Sequence, residues 1–400
     1  MLKDKVKELA HTCHEEVVNT RRHLHMHPEL SFEEVHTGRY IKHHLSEIGV
    51  PCTSGWAGHG VVGMIEGNRP DSRTIALRAD MDALPIQEEN DVSYRSRNMG
   101  VMHACGHDVH SASLLGVARI LYQLRDRFDG TIKLIFQPGE ERMPGGASIM
   151  IEEGVLENPR PACILGQHVY PLLPAGTVGF RAGKMMASSD EIEMTIYGRG
   201  GHGAVPQFTI DPIAISAQIV SGLQQLVSRV SDPTIPSVLT FGKIESEGGT
   251  YNVIPASVKL YGTFRTFSEY WRYQAHEKMR TIATGIAQGF GAQCDVKITV
   301  GYPFLINDDV LTARCVEAAQ DFLGEDHVRD IPMRLTSEDF AYYTHHAHGC
   351  FYRLGVANED RGIISPVHTP TFDIDDAALY TGPALMSWLA LSELSDDNHG

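Results

Sequence analysis

Much that would mark a chain of 400 residues as unusual is missing from this one. No apolar run approaches the ~18 residues of a membrane span, so a membrane-spanning protein is not expected. The N-terminus, Met1-Leu2-Lys3-Asp4-Lys5, opens a charged helical pattern and lacks the apolar core of a secretory signal. Cationic residues are few. Lys and Arg number 34 against 50 Asp and Glu, a formal charge of -16, which argues against nucleic acid or an anionic membrane as partner. The seven cysteines are odd in number and scattered, unlike a disulfide framework. A reducing cytoplasm is the expected location. Internal repeats and low-complexity segments are also absent.

What is present looks like an ordinary globular composition, 42% apolar and 21% charged. The length exceeds one compact core, so two domains are expected. The pattern predicts an amphipathic helix over 3–27, ended by Pro28. A second helix should open at the capping box Ser31-Phe32-Glu33-Glu34 and close at Gly49. Strands are expected over 61–65, 74–77, 131–136 and 163–165, with helices over 107–128 and 147–153. This alternation indicates an α/β sheet with helical layers, whose sites gather on loops at strand ends. Asp80, Cys105, Glu140 and His168 fall just after such apolar runs or between them.

After about Gly183 the pattern changes. Strands over 190–197, 237–244, 257–264 and 295–300 and helices over 211–230 and 268–290 follow the order β-α-β-β-α-β. That is the split arrangement of a ferredoxin-like sandwich. A helix over 308–323, a strand over 350–354 and a helix from Asp375 then resume the first pattern. The expected organisation is a catalytic domain of residues 1–184 and 298–400, interrupted by an inserted domain of residues 185–297.

The chemistry concentrates in His103-Ala104-Cys105-Gly106-His107-Asp108, Glu140-Glu141, His168 and His368. Thiolate, imidazole and carboxylate together suit a transition metal. Cys105 and His107, two apart on a loop, can reach one metal or two adjacent ones. Alone, the pair is equally a buried thiol beside a capping histidine. Glu140 and Glu141 follow an apolar strand, and neighbours in extended chain point to opposite sides. One can therefore ligate while the other acts as general base on a metal-activated water. His368 lies in the proline-stiffened Pro366-Val367-His368-Thr369-Pro370. His23, His25 and His27 alternate on a helix and cannot share a metal. His345, His346 and His348 read as solvated, and the other cysteines as core or incidental thiols.

Taken in order, the motifs resemble those of the M20 family of metallopeptidases and amidohydrolases. They are Arg21-Arg22-His23-Leu24-His25, Arg78-Ala79-Asp80-Met81-Asp82-Ala83-Leu84-Pro85, residues 101–108, residues 137–141, residues 198–202, Asn252-Val253-Ile254-Pro255, Gly262-Thr263-Phe264-Arg265, Ser337-Glu338-Asp339-Phe340 and residues 368–373. The similarity is strongest to the branch holding N-acyl-amino-acid amidohydrolases, hippurate hydrolases and auxin-conjugate hydrolases. It implies a zinc-peptidase-like catalytic domain with a mixed sheet and an inserted lid and dimerisation domain. It also implies two divalent ions, zinc first, with manganese, cobalt or nickel as alternatives. Cys105 would bridge them, His107 and His168 completing one and Glu141 and His368 the other. Glu140 would be the base and Asp80 would orient a ligating histidine. His202 would polarise the scissile carbonyl across a homodimer, although its glycine-rich turn is equally a tight turn with an incidental histidine. Asn252 and Arg265 would clamp the substrate carboxylate, where Arg265 could equally form a surface ion pair. The implied reaction is hydrolysis of N-acyl amino acids, with a dipeptidase or carboxypeptidase, or a non-catalytic metal-binding protein, as rivals.

Overall fold

The computed structural model describes residues 1–395. The chain begins with α1 (Leu2–Met26), α2 (Val35–Ile48), β1 (Cys52–Trp56), β2 (Gly60–Glu66), β3 (Thr74–Asp80), α3 (His107–Gln123), β4 (Thr131–Gln137), α4 (Gly146–Glu152), β5 (Cys163–Pro174) and β6 (Val178–Phe180). It continues through β7 (Asp190–Tyr197), α5 (Pro212–Gln225), β8 (Ser237–Glu247), β9 (Ser257–Thr266), α6 (Glu269–Gly289) and β10 (Gln293–Val300). It ends with α7 (Asp309–Leu323), β11 (Val328–Asp330), α8 (Phe340–Thr344), β12 (His348–Ala357) and α9 (Ala378–Ser395). Two compact units result. The second comprises Met186–Leu305 and Arg334–Glu338, and the first comprises the rest.

In the first unit, eight strands form a mixed sheet in the order β1-β2-β4-β3-β5-β12-β6-β11. β3 runs parallel to β4 and β5, and β5 parallel to β12. Such strands are covered on both faces, and β3 and β4 are buried along their whole length. α3 is almost entirely buried and packs against α1, α9 and β3. Gly116 permits the close approach: a Cβ there would lie 2.8 Å from Val17 Cγ2 and 2.9 Å from Pro383 Cβ. Register then aligns the chemistry. Asp80 pairs with Gln137, Arg78 with Gly166, and Arg353 with His168. His168 is thus level with Asp80 at the C-terminal edge of the parallel strands.

Several local expectations need correction. α2 has no capping box: Ser31 hydroxyl donates to Asp82 instead, and Glu29 accepts the His36 and Thr37 amides at 2.9 and 2.8 Å. A carboxylate brought back from outside the helix fills the role that the local motif suggested for serine. Gly49 does end α2, with φ of 95°. β1 lies outside the expected strands, because its exposed centre lacks an apolar signal. β5 extends to Pro174, so His168 lies within a strand and not in the loop after it. α3 stops at Gln123, ahead of a separate turn at Arg125–Arg127.

The second unit has a four-stranded antiparallel sheet in the order β8-β9-β7-β10. α5 and α6 supply its apolar layer through Ile215, Ile219, Leu223, Trp271, Ala275 and Met279. Asp211 caps α5, accepting the Ile213 and Ala214 amides. The helical pattern expected to run to Val230 changes at Leu226 into one wide turn. Buried Arg272 and His276 on α6 both bond Asp190 at the start of β7, at 2.6 and 2.7 Å.

Candidate metal centre

The link from β3 to α3 brings Cys105 and His107 to the edge of the sheet. Gly106 between them has φ of 81°, and a Cβ there would lie 2.6 Å from Val169 Cγ2. Both the backbone conformation and the close approach therefore require glycine. His368 arrives from the other end of the chain, its amide donating to the Ala104 carbonyl at 2.8 Å. Its φ of 63° is rare for a residue with a side chain and marks a loop held in a costly conformation.

These segments converge on one cluster. Cys105 Sγ lies 3.4 Å from His168 Nε2 and 3.2 Å from His368 Nε2. His368 Nε2 is 3.2 Å from Glu141 Oε1, which is 4.0 Å from His107 Nε2. Tetrahedral bonds of 2.0–2.3 Å place ligand atoms about 3.3–3.8 Å apart, so the three shorter spacings, all around Cys105 and His368, lie close to the edges of a coordination shell. Two ligand triplets share the thiol: Cys105 with His107 and His168, and Cys105 with Glu141 and His368. Buried His107 Nε2 has no hydrogen-bond partner. That is costly unless a ligand satisfies it. The donor set fits two divalent ions.

Hydrogen bonds fix which ring nitrogen each histidine presents. His168 Nδ1 donates to the Val169 carbonyl at 2.8 Å, leaving Nε2 for the cluster. His107 Nδ1 bonds Asp82 Oδ1 at 3.0 Å, leaving Nε2. The carboxylate bonded to His107 Nδ1 is therefore Asp82. Asp80 Oδ2 is 3.8 Å from His107 Nε2, while Asp80 bonds Arg78 at 2.6 Å and His110 at 2.5 Å. His110 also accepts the Val169 amide through Nε2, so neither nitrogen is available to a metal.

The two glutamates lie in the bend after β4, not in extended chain, and bond different partners. Glu141 faces His368, whereas Glu140 Oε1 accepts the Asp339 amide at 3.3 Å and its Oε2 lies 3.9 Å from His107 Nε2. The loop is held from behind. Glu34 accepts the Gly139 amide at 2.8 Å, and Asp82 accepts the Glu141 amide at 2.9 Å. Arg78 spans Gln137, Asp80 and Asp339.

Electrostatics favour cation binding. Burial, then the charges of Glu141 and Glu140, push the Cys105 thiol well above its usual range. Burial would lower His107, but Asp80 and Asp82 outweigh it and raise His107 to about 10. Burial, followed by Arg353, holds His168 well below its usual value. Burial also raises Asp339 to about 6 against the pull of Arg78. Cys105 and His107 would each have to give up a proton to hold a dication there.

The remaining expected site residues belong to the second unit. His202 is exposed, accepts the Ala204 amide at 3.1 Å through Nδ1, and pairs with Val253 in a short two-strand ladder. Next to it, the Gly203 amide donates to the Asn252 carbonyl at 2.7 Å. Arg265 on β9 donates to Ser337 Oγ at 2.9 Å and Thr263 Oγ1 at 3.2 Å, and burial lowers its pKa. It is partly buried and bonded to hydroxyls, not to a surface carboxylate.

Sequence reasoning passes over Asp82, His110 and Glu34. Asp82 shares a motif with Asp80, and the period-two spacing between them is a usable signal. Glu34 reads as a capping residue and carries no other sign. His25 is fully buried against Asp108 and Glu88. His348 is exposed beside Asp308.

Residues 76–391 match the model of peptidase family M20/M25/M40. The chain is 43% identical over 309 residues to an N-acyl-L-amino acid amidohydrolase of Geobacillus stearothermophilus, covering 77% of this chain and 82% of that one. It is 38% identical over 393 residues to thermostable carboxypeptidase 2 of Saccharolobus solfataricus, covering 98% and 97%. Among solved structures it is similar to a Bacillus subtilis protein described as a dinuclear metal binding peptidase of the M20 family. The TM-score is 0.81 at 36% identity, over 96% of this chain and 99% of that one.

Proposed function

The chain belongs to peptidase family M20/M25/M40 and is an amide-bond hydrolase, and we propose that its substrates are N-acyl amino acids, cleaved to a carboxylic acid and a free amino acid. The observation that carries this reading is the pair of ligand triplets sharing Cys105 with Glu140 beside them. Two divalent ions held there, zinc for this thiolate-imidazole set, would polarise the amide carbonyl and make water acidic enough to lose a proton near neutral pH. Cys105 would touch both ions, His107 and His168 one, Glu141 and His368 the other. Glu140 takes the proton from the attacking water and returns it to the departing amine. Its carboxylate accepts the Asp339 amide, which holds it beside the two triplets.

His202 supplies the donor for the developing oxyanion, worth roughly 3–4 kcal/mol for such a group. In a homodimer that donor comes from a second subunit. Asn252 and Arg265 hold the free α-carboxylate. Seven free cysteines fit a cytoplasmic location. The named carboxypeptidase among the relatives favours peptide cleavage as the second reading. Turnover on N-acetyl and N-benzoyl amino acids, their α-amides, and dipeptides decides between them. Faster cleavage of N-acyl amino acids than of dipeptides supports the proposal, and the reverse order replaces it. Loss of rate with the α-amides supports the carboxylate clamp.

A further inference from the structure

The motif Arg21-Arg22-His23-Leu24-His25 has no place in the chemistry above, yet its first residue is completely buried. Arg21, on α1, donates through Nε to Asp108 Oδ2 at 2.8 Å and through Nη2 to Asp373 Oδ1 at 3.0 Å. Asp108 directly follows His107. Asp373 ends the short loop that His368 begins. One guanidinium on a third element therefore grips the two chain segments, more than 260 residues apart, whose side chains meet at Cys105 and His368.

The grip is reinforced on both sides. His25, one turn along α1, bonds the same Asp108 oxygen at 2.7 Å and Glu88 at 3.1 Å. The Tyr94 hydroxyl donates to the second oxygen of Asp373 at 2.8 Å, and the guanidinium sits 5.0 Å from the Tyr94 ring. A buried ionic cluster of this size is a poor way to gain stability, because desolvation cancels much of the attraction. What it does supply is fixed geometry: the planar fork of arginine sets the two carboxylates at defined positions, which a lysine ammonium cannot do.

We propose that Arg21 is a positioning residue for the metal centre, setting the separation of the Cys105–His107 and His368 segments through Asp108 and Asp373. The proposal rests on the reading of Cys105, His107 and His368 as ligands. It predicts that disturbing the grip loosens metal before it loosens the fold.

The test is cobalt(II) titration of the purified full chain, reading dissociation constants by chelator competition and the thiolate-to-cobalt absorption band. Arg21→Lys and Asp373→Asn should each weaken at least one cobalt site about 10- to 100-fold, the range for partners behind a ligand, and shift the band. Tyr94→Phe should cost a few-fold. Lys3→Gln, also on α1 but paired with Asp321, should change neither readout. Thermal unfolding of the metal-free proteins should differ little between Tyr94→Phe, Asp373→Asn and wild type, so these two carry the test if Arg21→Lys fails to fold. Wild-type affinity and an unchanged band in Asp373→Asn and Tyr94→Phe would overturn the proposal. Absence of a thiolate band in wild type would instead overturn the ligand reading beneath it, and the proposal with it.

Discussion

Asp82 Oδ1 lies 3.0 Å from His107 Nδ1, and this bond turns the unpartnered Nε2 of His107 toward Cys105 and Glu141. The same carboxylate receives the Ser31 hydroxyl and the Glu141 amide through its other oxygen. One buried acid therefore orients a ligand on each side of the cluster.

Asp82→Asn should lower metal affinity by about 10- to 100-fold, the usual cost of losing a carboxylate behind a ligating histidine. Metal titration of the purified variant checks this. An affinity equal to wild type would contradict the orienting role of Asp82.

Metal loading should strengthen as pH rises. His107 is raised to about 10 by Asp80 and Asp82 against its burial, and the Cys105 thiol lies well above its usual range. Both are protonated near neutral pH without metal, and both must lose the proton to ligate. Affinity should increase by about tenfold per pH unit for each proton released. Calorimetry at about pH 6.5 and 7.5, in buffers of different ionisation enthalpy, measures the protons. Binding without proton release would contradict protonated Cys105 and His107 in the metal-free site.

Glu34 should make the metal-free protein less stable as pH rises. Burial, then the charge of Asp82, raises its carboxyl to about 8. The folded form keeps a proton that the unfolded chain has lost above roughly pH 4.3. Stability from this group is thus complete below that value and is lost as pH rises through about 8. Glu34→Gln removes the dependence and keeps an oxygen for the Gly139 amide. Its stability relative to wild type should improve by about 1 kcal/mol or more between about pH 5 and pH 8. A difference that stays constant across denaturant titrations at the two pH values would count against the raised value.

The helix and strand pattern of this chain is largely legible because its apolar periods are strong. β4 and α6 follow directly from them. The residue types of Cys105, Glu141, His168 and His368 suit a metal, but taking them as one ligand set rests on the resemblance to a family and not on their spacing. Partners across long sequence separations are not legible. Glu29 replaces Ser31 at the start of α2, and Asp82 bonds His107, because local motifs say which residue could bond but not which carboxylate the fold delivers. Arg21 shows the same limit: its partners lie 87 and 352 residues away.

The most direct test of the account is metal content per chain, after identical loading and dialysis, of wild type, Cys105→Ala and Glu140→Gln, with turnover recorded on each. A site bridged by Cys105 and worked by Glu140 predicts two equivalents in wild type and in Glu140→Gln. It predicts a kcat lower by on the order of 100-fold or more in Glu140→Gln, and loss of metal and activity together in Cys105→Ala. Full metal content with near-normal turnover in Cys105→Ala would contradict it. So would a Glu140→Gln variant that loses its metal.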